Sequence, residues 1–527
     1  MAAAVILLPI CYVFTTILTP PGDNWYQVKR YLLKDYLADT LFLTIMSGAL
    51  TVGLGVSLAW LIAVFDFPGK RLFRTALLLP LAIPPYIAAY TYSTMFSYTG
   101  VVQTTLRNHL GIVPNQELIT ISSMRGAIFI FTMFLFPYVY LITRAYFENQ
   151  SASYIENARL LGRKPLAVFL LAALPLARPA IIGGASLVVF EVLSDYGVTS
   201  YFGIQTITTA IFQTWFGMYD VETAMRLAAW LMLIIIGVFI LERLLRGGRA
   251  YSATTSKASR LSPIRLKGGR ALGAVLFCFT IVSISFLIPV AQLIVWAAWT
   301  YESVWDNSFS ELIWRTLYVA TISSIVIMVL TVIVASVNRS RTGFSYLLSR
   351  SITAGYSVPG AIIAIGVLAV FIQLDHTFAP LYQYLGWGEA PLILSLSVYM
   401  LLFGYIVRFM ATGYQAVETG YEKLGMKYSE ASRLLGAGLT RTIIRVDLPM
   451  IRGALLTGLI LTFVEVCKEL PLALLLRPFN FETLAIKAYQ YANDEQIHRS
   501  AIPSLLIIGI SLISVVLLQQ VGRRPNR

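Results

Sequence analysis

The residues best able to do chemistry in this chain lie where an apolar protein should least tolerate them. Glu191 and Asp195 fall in the apolar stretch "VVFEVLSDYG", and Glu465, Lys468 and Glu469 fall in "TFVEVCKELP". An ionisable group near the middle of a membrane helix costs about 2.5–3.5 kcal/mol on insertion scales, so these groups need a use. In each stretch the acids stand four positions apart, a spacing that predicts one shared helix face with the carboxylates a turn apart. Such pairs repel unless a cation or a basic neighbour neutralises them, and carboxylate oxygens are the ligands that hard cations prefer. The chemistry on offer is weak, transient binding of a cation by Glu191, Asp195, Glu465 and Glu469, with Tyr196 able to add a phenolate and Lys468 a compensating charge. Inter-helix salt bridges or gate contacts, Lys468 with Glu469 or with Asp195, are the other use of the same groups.

The elements that must carry them follow from composition. Of 527 residues 57% are hydrophobic and 13% charged, far from the soluble average, and apolar runs recur along the whole length. Their length and weak period-2 alternation argue for helices rather than a barrel. The expected fold is an all-α polytopic membrane protein in a lipid bilayer. Its expected spans are 3–19, 41–65, 75–98, 126–146, 181–200, 226–245, 271–299, 316–337, 350–373, 391–410, 453–475 and 501–521. Alternate loops and the tail hold about 29 of the 40 Lys and Arg, which makes that side cytoplasmic and places both termini there. The net charge of +14 is thereby explained without nucleic acid. The first span lacks a basic leader and an A-x-A site, so it reads as a retained span, although a trimmed start stays open. Cys11, Cys278 and Cys467 lie in apolar segments without C-x-x-C spacing, which argues against disulfides and thiolate metal sites. His109, His376 and His498 are isolated in or beside external loops.

The chain also repeats itself. "ENARLLGRKPLAVFLLAALPLARPAII" (156–182) matches "EASRLLGAGLTRTIIRVDLPMIRGALL" (430–456) at an offset of about 274, and the acidic stretches match at the same offset. Upstream, "LLLPLAIPPYIAAY" (77–90) resembles "ITAGYSVPGAIIAI" (352–365). The expected organisation is a first half over 1–245, a Gly-, Ser- and Arg-rich linker over 246–270 and a second half over 271–527. An even number of spans per half gives the copies one orientation, related by an axis along the membrane normal, which suits a transport path. Pro80, Pro84 and Pro85, and Pro359 with Gly360, should kink or interrupt their spans.

Each half carries a polar loop (151–178 and 425–452) with Glu, then Gly six residues on, then Leu-Pro. Glycine at the end of such a turn permits φ > 0 and stops the helix, and proline forbids simple continuation. The expectation is a short surface helix lying across the ends of the spans, placed to dock into something.

The order E-A-A-x-x-x-G followed by L-P resembles the signature loop of permease subunits of binding-protein-dependent ABC importers. The first copy departs from it at Asn157, where the second has Ala431. The resemblance covers nearly the whole chain, and "SDYGVTSYFGIQTITTAIF" and "KELPLALLLRPFNFETLA" look like the fused, two-copy permeases of ferric iron uptake; related permeases handle thiamine and other small solutes. It implies the type I importer transmembrane fold, with Glu156, Ala158, Gly162, Glu430, Ala431 and Gly436 in coupling helices seated on an ATPase. It further implies two copies of that cytoplasmic ATPase, a periplasmic ferric-binding protein meeting the loops 202–215 and 477–492, and Fe(III) as cargo in the bacterial inner membrane. No G-x-x-x-x-G-K-[ST] occurs, so ATP would be hydrolysed on the partners and the chain itself is expected to be no enzyme and to hold no permanent cofactor. An ion-gradient-driven secondary transporter is the rival from another class.

Overall fold

A computed structural model describes residues 2–113, 115–149, 162, 165–246, 263–339, 358–386, 392–395 and 397–523. The described chain is almost entirely helical. In hydrocarbon a helix satisfies its own backbone polar groups, so apolar runs of this length have few other choices. The helices used below are α1 (Ala2–Thr15), α2 (Leu33–Val64), α3 (Pro85–Phe96), α4 (Met124–Asn149), α5 (Leu174–Ser194) and α6 (Gly197–Tyr201). They continue with α7 (Val221–Arg246), α8 (Gly269–Val282), α9 (Ile288–Val304), α10 (Asn307–Asn338), α11 (Gly360–Tyr384) and α12 (Val398–Leu424). The last are α13 (Lys427–Leu434), α14 (Arg452–Lys468), α15 (Pro471–Leu476), α16 (Leu484–Asn493) and α17 (Ala501–Arg523).

Among the described residues, eight helices are long and apolar enough to cross a membrane, and two more spans form if each sharply bent pair is counted as one. Of the twelve expected spans, α1 has only 14 residues and α12 carries Arg408 and a polar last third, so neither qualifies on length and composition alone. The bent pairs are Lys70–Ala82 with Pro85–Leu110 (90°) and Leu439–Met450 with Arg452–Lys468 (77°). The first break falls at the prolines. Pro84 caps α3 with φ −55 and ψ 139, and Pro359 caps α11 with φ −54 and ψ 143, so the two copies repeat one backbone device. Proline has no N–H to lose there and its fixed φ suits the start of a helix.

The helices gather into two compact units that do not follow the sequence halves. One holds Gln27–Ala210 and Leu231–Trp299; the other holds Met1–Tyr26, Ile211–Trp230 and Thr300–Arg527. Thus α1 packs along α11 of the second half, and α8 joins the helices of the first. The sequence repeat describes ancestry, whereas packing assigns the first helix of each half to the other group.

In the unit containing α2, the close approach of α2 to α4 depends on Gly55. A Cβ there would stand 2.8 Å from the Cβ of Val139 and 3.0 Å from the carbonyl of Phe136. Membrane helices gain their attraction from such tight contact, since lipid offers no hydrophobic drive. Around it Leu58, Ile62, Phe136, Tyr140, Phe147, Ala173, Ala177 and Cys278 form a buried cluster, with Trp60 edge-on to Phe147 at 5.4 Å. The strands β1 (Phe65–Asp66) and β2 (Ile264–Arg265) pair in parallel beside it.

Matching hydrogen bonds fix the segments beyond the acidic stretches. Ile207 N–H donates to Thr40 Oγ1 at 3.0 Å in one unit, and Leu484 N–H donates to Thr316 Oγ1 at 2.9 Å in the other. The loops 202–215 and 477–492 are therefore packed, with Ile207, Ile211, Leu484 and Ile486 fully buried.

Candidate functional site

The second Glu–Gly loop is built residue by residue from local rules. After α12 the chain turns at Gly425 (φ +68) into the eight-residue α13, whose Glu430 and Ala431 are exposed. At its end Gly436 N–H donates to Arg433 O (2.9 Å) and Ala437 N–H to Ser432 O (3.2 Å). These are the two bonds of a Schellman stop, which needs a left-handed residue, and Gly436 has φ +84. Gly162 at the matching position has φ +76, while Glu156 and Ala158 lie outside the described residues. Past Gly438 a π turn (Ile443–Asp447) precedes Leu448-Pro449, as Phe169–Ala173 precedes Leu174-Pro175 in the first copy.

Apolar side chains crowd the surface around α13. Leu434 and Leu435 are each 89% exposed, and Tyr428, Leu439 and Ile444 are exposed beside them. Beneath, a polar network that sequence reading missed holds the loop. Asp447, 3% exposed, accepts from Arg339 Nη1 at 2.8 Å and from Ser429 Oγ at 2.6 Å. Arg339, which follows α10, also donates to Ser429 Oγ (2.8 Å) and to the carbonyl of Gly425, and its guanidinium lies 4.6 Å over the Tyr421 ring. Asp447 was legible as the one acid after Glu430 in an otherwise basic loop; Arg339 was absorbed into the count of positive charges.

The acidic stretches are arranged differently from the spacing argument. α5 stops at Ser194 and α14 at Lys468, so Asp195 (φ −72, ψ 132) and Glu469 (φ −69, ψ 123) have left the helix. Glu191 and Asp195 therefore do not share one uninterrupted helical face, and neither do Glu465 and Glu469. The reason is capping: Asp195 Oδ1 accepts the N–H groups of Val198 (2.9 Å) and Thr199 (3.3 Å) to start α6, and Glu469 Oε1 accepts that of Leu472 (3.2 Å) to start α15. Lys468, unassigned from sequence, pairs with Glu465 at 2.8 Å one turn back. Glu191, Asp195, Tyr196, Glu465, Lys468 and Glu469 are all half-buried. Among the described residues no group of three or more His, Cys, Asp or Glu is placed to hold a metal ion. Between α12 and α14 a groove of about 700 Å³ opens beside α13, lined by Thr412, Gln415, Thr419, Lys423, Tyr428 and Thr457 among others.

Outside the spans, Asp220 precedes α7. Burial alone would raise its carboxyl, but hydrogen bonds from the backbone and hydroxyl of Thr223 and from the Asn24 amide outweigh it and hold it below its ordinary value.

Two sequence-related halves of membrane-crossing helices, with matching proline caps at Pro84 and Pro359 and left-handed glycines at Gly162 and Gly436, define a polytopic membrane transport component. The chain belongs to the family of binding-protein-dependent transport system inner membrane components, whose family model matches it twice, over residues 51–245 and 327–527. It is similar to the Fe(3+)-transport system permease protein FbpB 2 of Haemophilus influenzae, 24% identical over 523 residues, 97% of this chain and 96% of the relative. It is also similar to the probable ABC transporter permease protein y4fN of Sinorhizobium fredii, 19% identical over 520 residues, 93% of this chain and 88% of the relative. Over a shorter stretch of 148 residues it is 31% identical to the molybdenum transport system permease protein ModB of Escherichia coli, covering 28% of this chain and 62% of the relative.

Proposed function

We propose that this chain is the permease of an ATP-driven importer that carries ferric iron, both transmembrane halves being supplied by one polypeptide with its termini in the cytoplasm. The observation that carries the ABC reading is the exposed helix α13, stopped by left-handed Gly436 and studded with exposed Leu434 and Leu435. Leu434 and Leu435 with Tyr428, Leu439 and Ile444 form an exposed apolar cluster on this polar loop, which fits a protein partner. Two ATPase subunits would seat on the loops bearing Glu156, Ala158 and Gly162 and bearing Glu430, Ala431 and Gly436, and a periplasmic binding protein would deliver cargo to the packed outer segments. Ferric iron is favoured by a relative named for Fe(3+) transport that matches over nearly the full length.

In this reading Glu191, Asp195, Glu465 and Glu469, with Tyr196 and Lys468, border the path and attract a hard cation without chelating it. Asp195 and Glu469 already accept backbone N–H groups, and Glu465 holds Lys468, which keeps their affinity for a passing ion low, as release requires. The test is uptake of labelled Fe(III) by Glu191→Gln and Glu465→Gln variants. A fall in uptake with ATPase stimulation intact supports the path role; normal uptake removes it.

A further inference from the structure

We propose that Arg339 is the positioning residue that makes the membrane helices of the second half follow the docking loop, through an ion pair whose matching positions in the first half are apolar. The proposal rests on the reading of α13 as an ATPase-docking helix. Arg339 sits at the end of α10 and reaches three elements: Ser429 in α13, Asp447 in the return to α14, and Gly425 with Tyr421 at the end of α12. A guanidinium has a rigid fork of donors, so bonds to partners in different directions fix orientation as well as distance. Ser429 closes the triangle by donating to the other oxygen of Asp447. A displacement of α13 therefore cannot occur without either moving α10 or breaking a buried, charge-assisted network.

The matching positions of the first half carry no such ion pair. Ala173 stands where the second half has Asp447 and is 0% exposed, packed in the apolar cluster with Tyr140 and Phe147. The position matching Arg339 is Val64 or Phe65, apolar in either register. Apolar packing is non-directional, so the fork gives the second half's loop a directional hold that these apolar residues cannot supply. Nothing in the repeat requires this difference, since both copies keep the Glu, the left-handed Gly and the Leu-Pro.

The experiment compares wild type, Asp447→Asn, and the double variant Arg339→Val with Asp447→Ala, which gives the second half the apolar residues of the first and leaves no buried charge unpaired. Each is co-purified with the candidate ATPase and reconstituted, and transport is measured per ATP hydrolysed beside the unfolding temperature. The expected result is that the double variant assembles, unfolds near the wild-type temperature and hydrolyses ATP, yet transports at least tenfold less per ATP. Transport per ATP equal to wild type in a folded, assembled double variant overturns the proposal. Wild type that neither binds nor stimulates the ATPase sinks the underlying reading instead, which keeps the two failures distinct.

Discussion

Substituting Gly436 by alanine isolates the contribution of one backbone conformation to docking. Gly436 has φ +84 and nothing lies within 4 Å of the Cβ that alanine would add, so no clash complicates the change. What remains is the left-handed conformation itself, which costs an L-residue about 1–2 kcal/mol. That cost can be relieved only by undoing the Schellman stop after α13, so the ratio of native turn to its alternatives drops about five- to thirty-fold. Affinity for the ATPase subunit should fall by up to that factor, measured by titrating that subunit into purified permease and following binding and stimulated hydrolysis. Gly438, two residues on, is the control: it is extended (φ −67, ψ 163), equally open, and its alanine variant should bind as wild type. Gly162→Ala, at φ +76 and also open, should repeat the effect from the other half. If Gly436→Ala and Gly438→Ala behave alike, the turn geometry is not what the partner reads and the reasoning fails.

Three further outcomes are expected. Gly55→Val forces a side chain into the 2.8 Å gap against Val139 and should destabilise the purified protein by about 1–3 kcal/mol, seen as earlier thermal unfolding in detergent, whereas Gly53→Ala, with nothing within 4 Å, should not. Asp195→Ala removes the acceptor for Val198 and Thr199 and should cost about 1 kcal/mol of stability, while Asp195→Asn retains an acceptor and should cost less, by the same unfolding assay. Asp220, held below its ordinary value, stabilises the fold above the unfolded carboxylate value of about 3.9, and that contribution is lost as pH falls through the depressed folded value. Asp220→Asn should accordingly flatten the acid limb of stability against pH, and an unchanged limb would show that Asp220 is not its source.

Much of this architecture was legible because membrane physics leaves few options. Long apolar runs had to be helices, Pro84 had to break one and Pro359 to start one, and Gly436 had to be where a surface helix stops. What escaped were features decided by tertiary contact. The spacing of Glu191 to Asp195 presumes a continuous helix, but a carboxylate able to take up the next helix's N–H groups ends one helix as it starts another. The regrouping of α1 and α8 leaves no mark in periodicity, since both stripes are apolar whichever neighbour they meet. Arg339 and Asp447 lie 108 positions apart, too far for any local pattern to pair them. The exchange of Asp447 for Ala173 was one of many differences between the two matching segments, so nothing singled it out.

The most direct measurement of the central claim is reconstitution of this chain with its candidate ATPase in vesicles, with Fe(III)-loaded binding protein on the outer face and ATP on the other. The account expects iron to accumulate only when ATP and binding protein are both present. Accumulation driven by a proton gradient without ATP, or ATP-driven uptake of another solute with none of iron, would contradict it.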